Sequence, residues 1–312
     1  MTSAPLSVAF AGQRSLVEPH LLREPSDGVT PSFHDLRDGS DFATVLGAIE
    51  EQRPDVVVVF RPDLVPPGGT AGLDAIVLGV APDPLPRKGR SSHASLDYNL
   101  AMLQRSDAGS FDRVILTDPL GWDTVSGALP LWRCMPLPVD DALFRDPTPS
   151  RHPPRLAFIG HSTVHRETML VEQKHKFDLP HYAHALLGEE LKEVLAATDV
   201  AVCVHNDEDV ITFPPVLLVH LAAGHLAISE PLDPPFGLEP GIHYVQVGSR
   251  HDLDLRLHQI HENPGAYDRV RIRGNHFAQQ FRASRTWPRI LRDLVEDVRV
   301  FGSERTRARA AQ

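Results

Sequence analysis

The sequence predicts an α/β protein built on parallel sheets, and three observations predict it. Short β-branched runs, a turn with Gly, Pro or Asp, and a helix-length amphipathic stretch recur in that order along the chain. The apolar runs are continuous rather than alternating, as strands covered on both faces require. A length of 312 residues suits two domains of about 150 residues each.

In the first half the strand candidates are LSVAFAG (6–12), DVVVVF (55–60), DAIVLGV (74–80), RVILTD (113–118) and WRCMPL (132–137). Between them fit a helix over 41–52, opened by Ser40 or Asp41 and closed before Pro54, and another over 94–105. The stretch PVDDALFRDPTPSRHPP (138–154) is proline-rich, has no helical or strand period, and reads as an interdomain linker. The pattern then restarts with strand RLAFIG (155–160), helices near 165–176 and 184–197, and strand VAVCVH (200–205). A helix within TFPPVLLVHLAAG (212–224) follows, then strands HLAIS (225–229) and HYVQVG (243–248) and helical stretches near 250–262, 265–281 and 286–299. The expected division is a domain over 1–140, a linker over 141–154, a second domain over 155–285, and a C-terminal helix with a basic tail over 286–312.

Composition narrows the class. Apolar residues make up 42% and charged residues 23%, which excludes a disordered or fibrous chain. The longest apolar run, Val216 to Ala223, is interrupted by His220 and is far short of the roughly 20 residues that cross a bilayer. The N-terminus lacks a basic region before its apolar stretch and reads as a first strand, not a signal peptide, so a cytoplasmic protein is expected. Cys134 and Cys203, the two cysteines, are remote in sequence and support neither a disulfide framework nor a thiolate zinc site. A net charge of -10 argues against general nucleic-acid binding. The locally basic tail RTRARAAQ (305–312) reads as solvated and frayed. H-E-x-x-H, G-x-S-x-G and the P-loop pattern are absent, which disfavours those enzyme classes.

From Asp199 onward, four fragments occur in a telling order: LAAGHLAIS, GIHYVQVGSRHDL, HENPGAYDRVRIRGNHFAQQF and ASRTWPRIL. Their order and spacing over about a hundred residues resemble the C-terminal half of GT-B glycosyltransferases, especially the group similar to CgeB-like spore-maturation proteins, and more distantly family 4 enzymes. MPLPVDDALFRD is similar to the crossing between the two GT-B domains; the first 130 or so residues match only in general pattern. The resemblance implies two Rossmann-like domains facing a cleft, with the C-terminal helix packing back on the N-terminal domain. It places a nucleotide-sugar donor on the C-terminal domain and a small-molecule or glycan acceptor on the N-terminal one, and implies neither a cofactor nor a catalytic metal. The acidic string NDEDV (206–210) is read as a loop, not a metal-binding D-x-D.

A sugar nucleotide carries a diphosphate whose charge must be neutralised as it leaves, which helix N-termini and basic side chains do. In AFIGHSTVHRETML (157–170), Gly160 would let the backbone approach a ligand and His161 follows the strand directly. Arg166 resembles the family's arginine after this strand, the alternative being a helix-surface charge. His161 and His165, four apart, lack a third ligand for zinc. Lys174 and Lys176 offer a second phosphate charge or a solvated helix end. Thr212 is expected to cap the following helix, with Pro214 or Pro215 in its first turn. The two glutamates that family 4 enzymes carry here align with Val219 and Ile211, so both acids are absent. His220 beside the first is either a replacement hydrogen-bond partner or a satisfied core histidine, and Glu208 or Asp209 is the candidate replacement for the second.

On the acceptor side, AFAGQRS (9–15) resembles the glycine turn after the first GT-B strand, with Gly12 at its centre. It lacks the dinucleotide fingerprint G-x-G-x-x-G. A base for an acceptor hydroxyl is sought in Asp83 or His93 after the third strand candidate, with turn chemistry as the alternative for Asp83. The expected function is metal-independent glycosyl transfer from a nucleotide-diphosphate sugar to a hydroxyl or amine. Alternatives are a non-catalytic GT-B relative acting as a binding or partner subunit, and a GT-B-like sugar-nucleotide epimerase.

Overall fold

The structure is a computed structural model that describes residues 5–37, 42–89, 93–149 and 151–305. It divides into one unit of Met1–Pro138 with Ala283–Gln312, and a second of Val139–Arg282.

Unit one carries six parallel strands, β1 (Leu6–Gly12), β2 (Val29–Asp35), β3 (Val56–Phe60), β4 (Ile76–Ala81), β5 (Arg113–Leu116) and β6 (Leu131–Cys134), ordered β2-β1-β3-β4-β5-β6. Its helices within the first 138 residues are α1 (Arg14–Val17), α2 (Phe42–Gln52), α3 (Ala94–Leu103) and α4 (Trp122–Val125). The continuous VVVVF run of β3 is buried throughout, the burial on both faces that a central parallel strand demands. Strand β2 was not legible in the sequence because Pro31 interrupts VTPSFHD; it lies at the sheet edge, where a missing N–H is tolerated. The expected caps Ser40 and Asp41 lie outside the described residues.

Unit two carries β7 (Leu156–Ile159), β8 (His181–Tyr182), β9 (Val200–Cys203), β10 (Leu226–Ser229) and β11 (Val245–Gln246), all parallel in the order β11-β10-β9-β7-β8. Its helices are α5 (Val164–Lys176), α6 (Gly188–Ala197), α7 (Pro215–Ala222), α8 (Arg250–Glu262) and α9 (Asp268–Ala278). The proline-rich run after Pro138 lies with this unit: Val139 N donates to Phe281 O at 2.8 Å and Arg145 N to Ala222 O at 3.0 Å. Helix α7 is buried at every residue from Leu217 to Ala222, as a helix apolar all round must be.

Two residues of the GNHF stretch explain how α9 holds α7. A Cβ on Gly274 would collide with the His243 carbonyl oxygen and lie 2.8 Å from Leu221 Cδ2, so the absent side chain lets the elements meet. Asn275 Nδ2 donates to Leu221 O and Ala222 O, both at 2.9 Å, and to Arg145 O at 3.0 Å. It thereby satisfies carbonyls that the end of α7 leaves open.

The last helix, α10 (Ala283–Phe301), belongs to unit one. Its apolar stripe Ala283, Trp287, Ile290, Leu291 and Leu294 recurs at helical spacing and is buried. Each of its four large side chains contributes roughly 2 kcal/mol of burial. Trp287 meets Phe10 edge-on at 5.1 Å and donates its indole N–H to His20 O at 2.8 Å. Pro288 inside this helix deprives Ser284 O of its helical donor, and the Ser26 hydroxyl replaces it at 3.0 Å. The tail is not frayed at its start. Arg305 is buried, its Nε on Asp112 Oδ2 at 2.9 Å and its Nη1 on Thr70 O at 2.9 Å. The rest, 306–312, lies outside the described residues.

Candidate functional site

In unit two the parallel strands β7, β9 and β10 end on one edge of the sheet, the edge where open α/β sheets take ligands. Thr163 begins α5 there by accepting the backbone N–H of Arg166 on its hydroxyl at 3.2 Å. From the first turn of α5 the Arg166 side chain runs back into the strand ends and is 8% exposed. Its Nε donates to Val204 O at 3.0 Å, just past β9, and its Nη1 to His161 O at 2.9 Å, just past β7. The guanidinium lies 5.3 Å from the Phe158 ring centre. A Cβ on Gly160 would stand 3.1 Å from Nη1, closer than side chains ordinarily pack, so the glycine leaves the guanidinium its place. Burial lowers the Arg166 guanidinium from its usual range, and the charges of Glu230 and Asp207 oppose that. Among the described residues, no group pairs with Nη2. His161 is exposed, and burial and Arg166 hold its ring below the usual histidine value.

Beside Arg166 stands a group that the sequence reading missed. Glu230, directly after β10, is buried; its Oε1 is 2.9 Å from His165 Nε2 and its Oε2 accepts the His205 backbone N–H at 2.7 Å. His205 Nε2 lies 2.8 Å from Pro231 O, and because a carbonyl only accepts, that nitrogen carries the proton. Nδ1 is then an acceptor, met by the Thr212 hydroxyl at 3.3 Å. Burial pushes the His205 ring down from the usual value. The available signal was position: VCVHND and AISEPLD each put an ionisable residue within two positions of a strand's end.

Several expected donor-side roles are corrected. Thr212 does not cap α7, which starts at Pro215 with Pro214 at its cap position and no side-chain cap bond; the rigid φ of two prolines delays the helix past Thr212. Glu208 is exposed, and the loop acid whose charge reaches Arg166 and His161 is Asp207. Val219 is buried in the core while Ile211 is exposed. His220 is fully buried and cannot touch a ligand. Its Nδ1 is 3.1 Å from His225 Nδ1, and His225 Nε2 is 2.8 Å from Leu195 O. The same carbonyl argument makes His225 Nε2 the protonated nitrogen, so His220 donates through Nδ1 and its Nε2 is left buried without a partner. Lys174 pairs with Glu167 at 2.8 Å and Lys176 with Asp254 at 2.7 Å, so neither is a spare phosphate charge.

In unit one Gly12 is a packing residue: a Cβ would lie 2.9 Å from Phe60 Cβ. His93 caps α3, its Nδ1 accepting the Ser95 N–H at 3.3 Å. Asp83 is accessible, at a small hollow beside Arg61, Asp63 and Asn99 after β3 and β4. The surrounding walls push its carboxyl above the usual range, Asp63 adds to that, and Arg61 opposes it. Arg61 adopts left-handed φ at 65° and forks onto Asp63 at 2.7 and 2.6 Å. Strain of this kind gathers at functional sites. A larger hollow of about 480 Å³ lies at the opposite, N-terminal ends of β5 and β6, around Arg113 and Leu131. Among the described residues no His, Cys, Asp and Glu cluster is arranged to hold a metal, and no helix is long and apolar enough to cross a membrane.

No family model matches the chain, and no curated protein matches it. Solved structures do. HepE from Anabaena, in complex with UDP, superposes with a TM-score of 0.57 at 11% identity, covering 93% of this chain and all of HepE. Sucrose-phosphate synthase from Thermosynechococcus elongatus gives 0.54 at 10% identity over 93% of this chain and 99% of its own. The Listeria monocytogenes protein assigned as a UDP-N-acetylglucosamine 2-epimerase gives 0.51 at 13% over 97% and 98%. At such identities the likeness is one of fold. With two Rossmann-like units on parallel sheets and a terminal helix returned to the first, the chain has the GT-B fold of these glycosyltransferases.

Proposed function

We propose that the protein transfers a sugar from a nucleotide-diphosphate sugar to an acceptor hydroxyl or amine, without a catalytic metal. One observation carries this reading: the Arg166 guanidinium is fixed by two strand-end carbonyls at the N-terminus of α5, and among the described residues no group pairs with its Nη2. Such a group pre-organises positive charge where a diphosphate leaves, so little reorganisation accompanies the reaction. As the bond from the sugar's anomeric carbon to the diphosphate oxygen breaks, the negative charge accumulates opposite Nη2 and the first-turn amides of α5. The acceptor oxygen or nitrogen forms the new bond to the anomeric carbon and gives up its proton to a base. Support by analogy comes from HepE, which has been solved with UDP-glucose.

Calorimetric titration with UDP, GDP, TDP and ADP is the test. Binding of at least one, weakened about ten- to a hundredfold in Arg166→Ala as loss of a charge-assisted hydrogen bond predicts, supports the reading; no binding at millimolar concentration rejects it. The apolar residues at Val219 and Ile211 favour a second reading, a partner subunit that binds a sugar nucleotide without turning it over. Transfer by the wild type that is lost in Arg166→Ala excludes that one. Turnover of a UDP-sugar without any acceptor would instead mark an epimerase.

A further inference from the structure

We infer that Glu230 is a positioning residue for the anion site: it sets the Arg166 guanidinium through the peptide group that joins Val204 to His205. The inference rests on the donor reading above and names what holds its binding group. Arg166 Nε donates to Val204 O at 3.0 Å, and Glu230 Oε2 accepts the His205 N–H at 2.7 Å. That carbonyl and that N–H belong to one peptide unit. Among the described residues the carboxylate and the guanidinium have no direct hydrogen bond to each other. Their charges meet across the peptide plane instead.

A peptide unit is flat and its atoms turn together, so a bond that fixes the N–H also fixes where the carbonyl oxygen points. The two bonds strengthen each other as well. A carboxylate on the N–H pushes electron density toward the oxygen and makes it a better acceptor, and a guanidinium on the oxygen makes the N–H a better donor. Both ends of this relay are shielded: Glu230 and Arg166 are each 8% exposed, so water competes little for either bond. Both are also anchored. The other Glu230 oxygen, Oε1, is 2.9 Å from His165 Nε2 on α5. His205 is held a second time, its ring Nε2 donating to Pro231 O at 2.8 Å. Two bonds thus fasten His205 to Glu230 and Pro231, and the Val204 carbonyl has little freedom to turn away from α5.

The sign of the effect separates this role from a plain electrostatic one. A carboxylate near a phosphate repels it, so by charge alone the removal of Glu230 tightens anion binding. By positioning, its removal frees the peptide and Arg166 with it, which weakens binding.

The test is calorimetry of the full chain with UDP, and with inorganic pyrophosphate as a probe that has the diphosphate and no nucleoside. Glu230→Ala is expected to weaken both about tenfold, the size of a lost charge-assisted hydrogen bond. Glu230→Gln keeps an oxygen acceptor at the same reach and removes the charge, so it should bind within about threefold of the wild type or more tightly. Glu230→Asp keeps the charge and shortens the reach, so it should weaken binding, and it replaces the alanine variant if that one does not fold. Arg166→Ala combined with Glu230→Ala should bind no worse than Arg166→Ala alone, because Glu230 acts through that side chain. In heteronuclear NMR of the free protein the Arg166 Nε–H should exchange with water faster in Glu230→Asp than in the wild type or Glu230→Gln. Unchanged or tighter binding by Glu230→Ala, a loss in Glu230→Gln as large as in Glu230→Asp, or a further loss on top of Arg166→Ala overturns this inference and leaves the donor reading intact. Absence of wild-type binding by the four nucleotides and pyrophosphate overturns both.

Discussion

Unit two holds two pairs of histidines, one at each end of β10, and they have opposite fates. At the C-terminal end His165 and His205 flank the Glu230 carboxylate, and one ring nitrogen of His165 is left open. Before the strand's start His220 and His225 face each other, with no carboxylate bonded to either ring and a backbone carbonyl as their outer partner. Burial forces the second pair neutral: His225 is lowered to about 4 and His220 lies well below the usual value. The residue type is the same. A hydrogen-bonded acid and access to the surface separate a cluster at the strand ends from a piece of core. The comparison predicts that changes at the sealed end alter stability and leave ligand affinity alone, while changes at the open end do the reverse.

The largest effect is expected at the contact that seals α7. Gly274→Ala places a methyl against the His243 carbonyl, which is backbone and cannot rotate away, and against Leu221. Unit two should lose about 3 kcal/mol, the upper range for overpacking, read as a lower urea midpoint with an unchanged slope. Nucleotide affinity of the protein that remains folded should be unchanged. A parallel loss of affinity would mean that the two ends of β10 are coupled.

The sealed pair should also make unit two sensitive to acid. A histidine whose folded pKa is depressed costs nothing at high pH, where folded and unfolded rings are both neutral. As pH falls below about 6.5 the unfolded chain takes up a proton that the folded ring refuses, and stability declines until the folded pKa is reached. For His225, with a folded value of about 4, that loss is roughly 2 kcal/mol between pH 6.5 and 5; His220 adds to it in the same direction. Urea unfolding at several pH values should show the decline in the wild type and a shallower one in the double variant His220→Leu with His225→Leu. An equal slope in both would place the acid sensitivity elsewhere.

The sequence carried the architecture because buried parallel strands must be continuous apolar runs, and the pattern located nine of the eleven strands among the described residues. The two it did not carry, β2 and the two-residue β8, lie at sheet edges, where one side needs no partner and composition is freer. Arg166 and Gly160 were legible because their neighbours in sequence, a strand and a capped helix, fix where they stand. Glu230 was not, since its meaning comes from His165, 65 residues away. His220 was ambiguous for the same reason: its partner His225 is near in sequence, but only the packing of α7 under Asn275 tells that the pair is sealed.

The smallest effect is expected at the two lysines, and its smallness sharpens the contrast with Arg166. Lys174 Nζ is shared between both oxygens of Glu167, and Lys176 reaches Asp254 on α8. These are largely solvated pairs; Glu167 is 42% exposed and Lys176 47%. Such pairs contribute between about 0 and 1 kcal/mol. Lys174→Ala and Lys176→Ala should therefore shift the urea midpoint slightly and change UDP affinity by less than about twofold, against the ten- to a hundredfold predicted for Arg166→Ala. Calorimetry on the three variants side by side decides it. A tenfold loss in either lysine variant would show that a carboxylate-bound lysine leaves its partner for the phosphate, and that an unpaired nitrogen in the ligand-free structure is not what selects the anion's contacts.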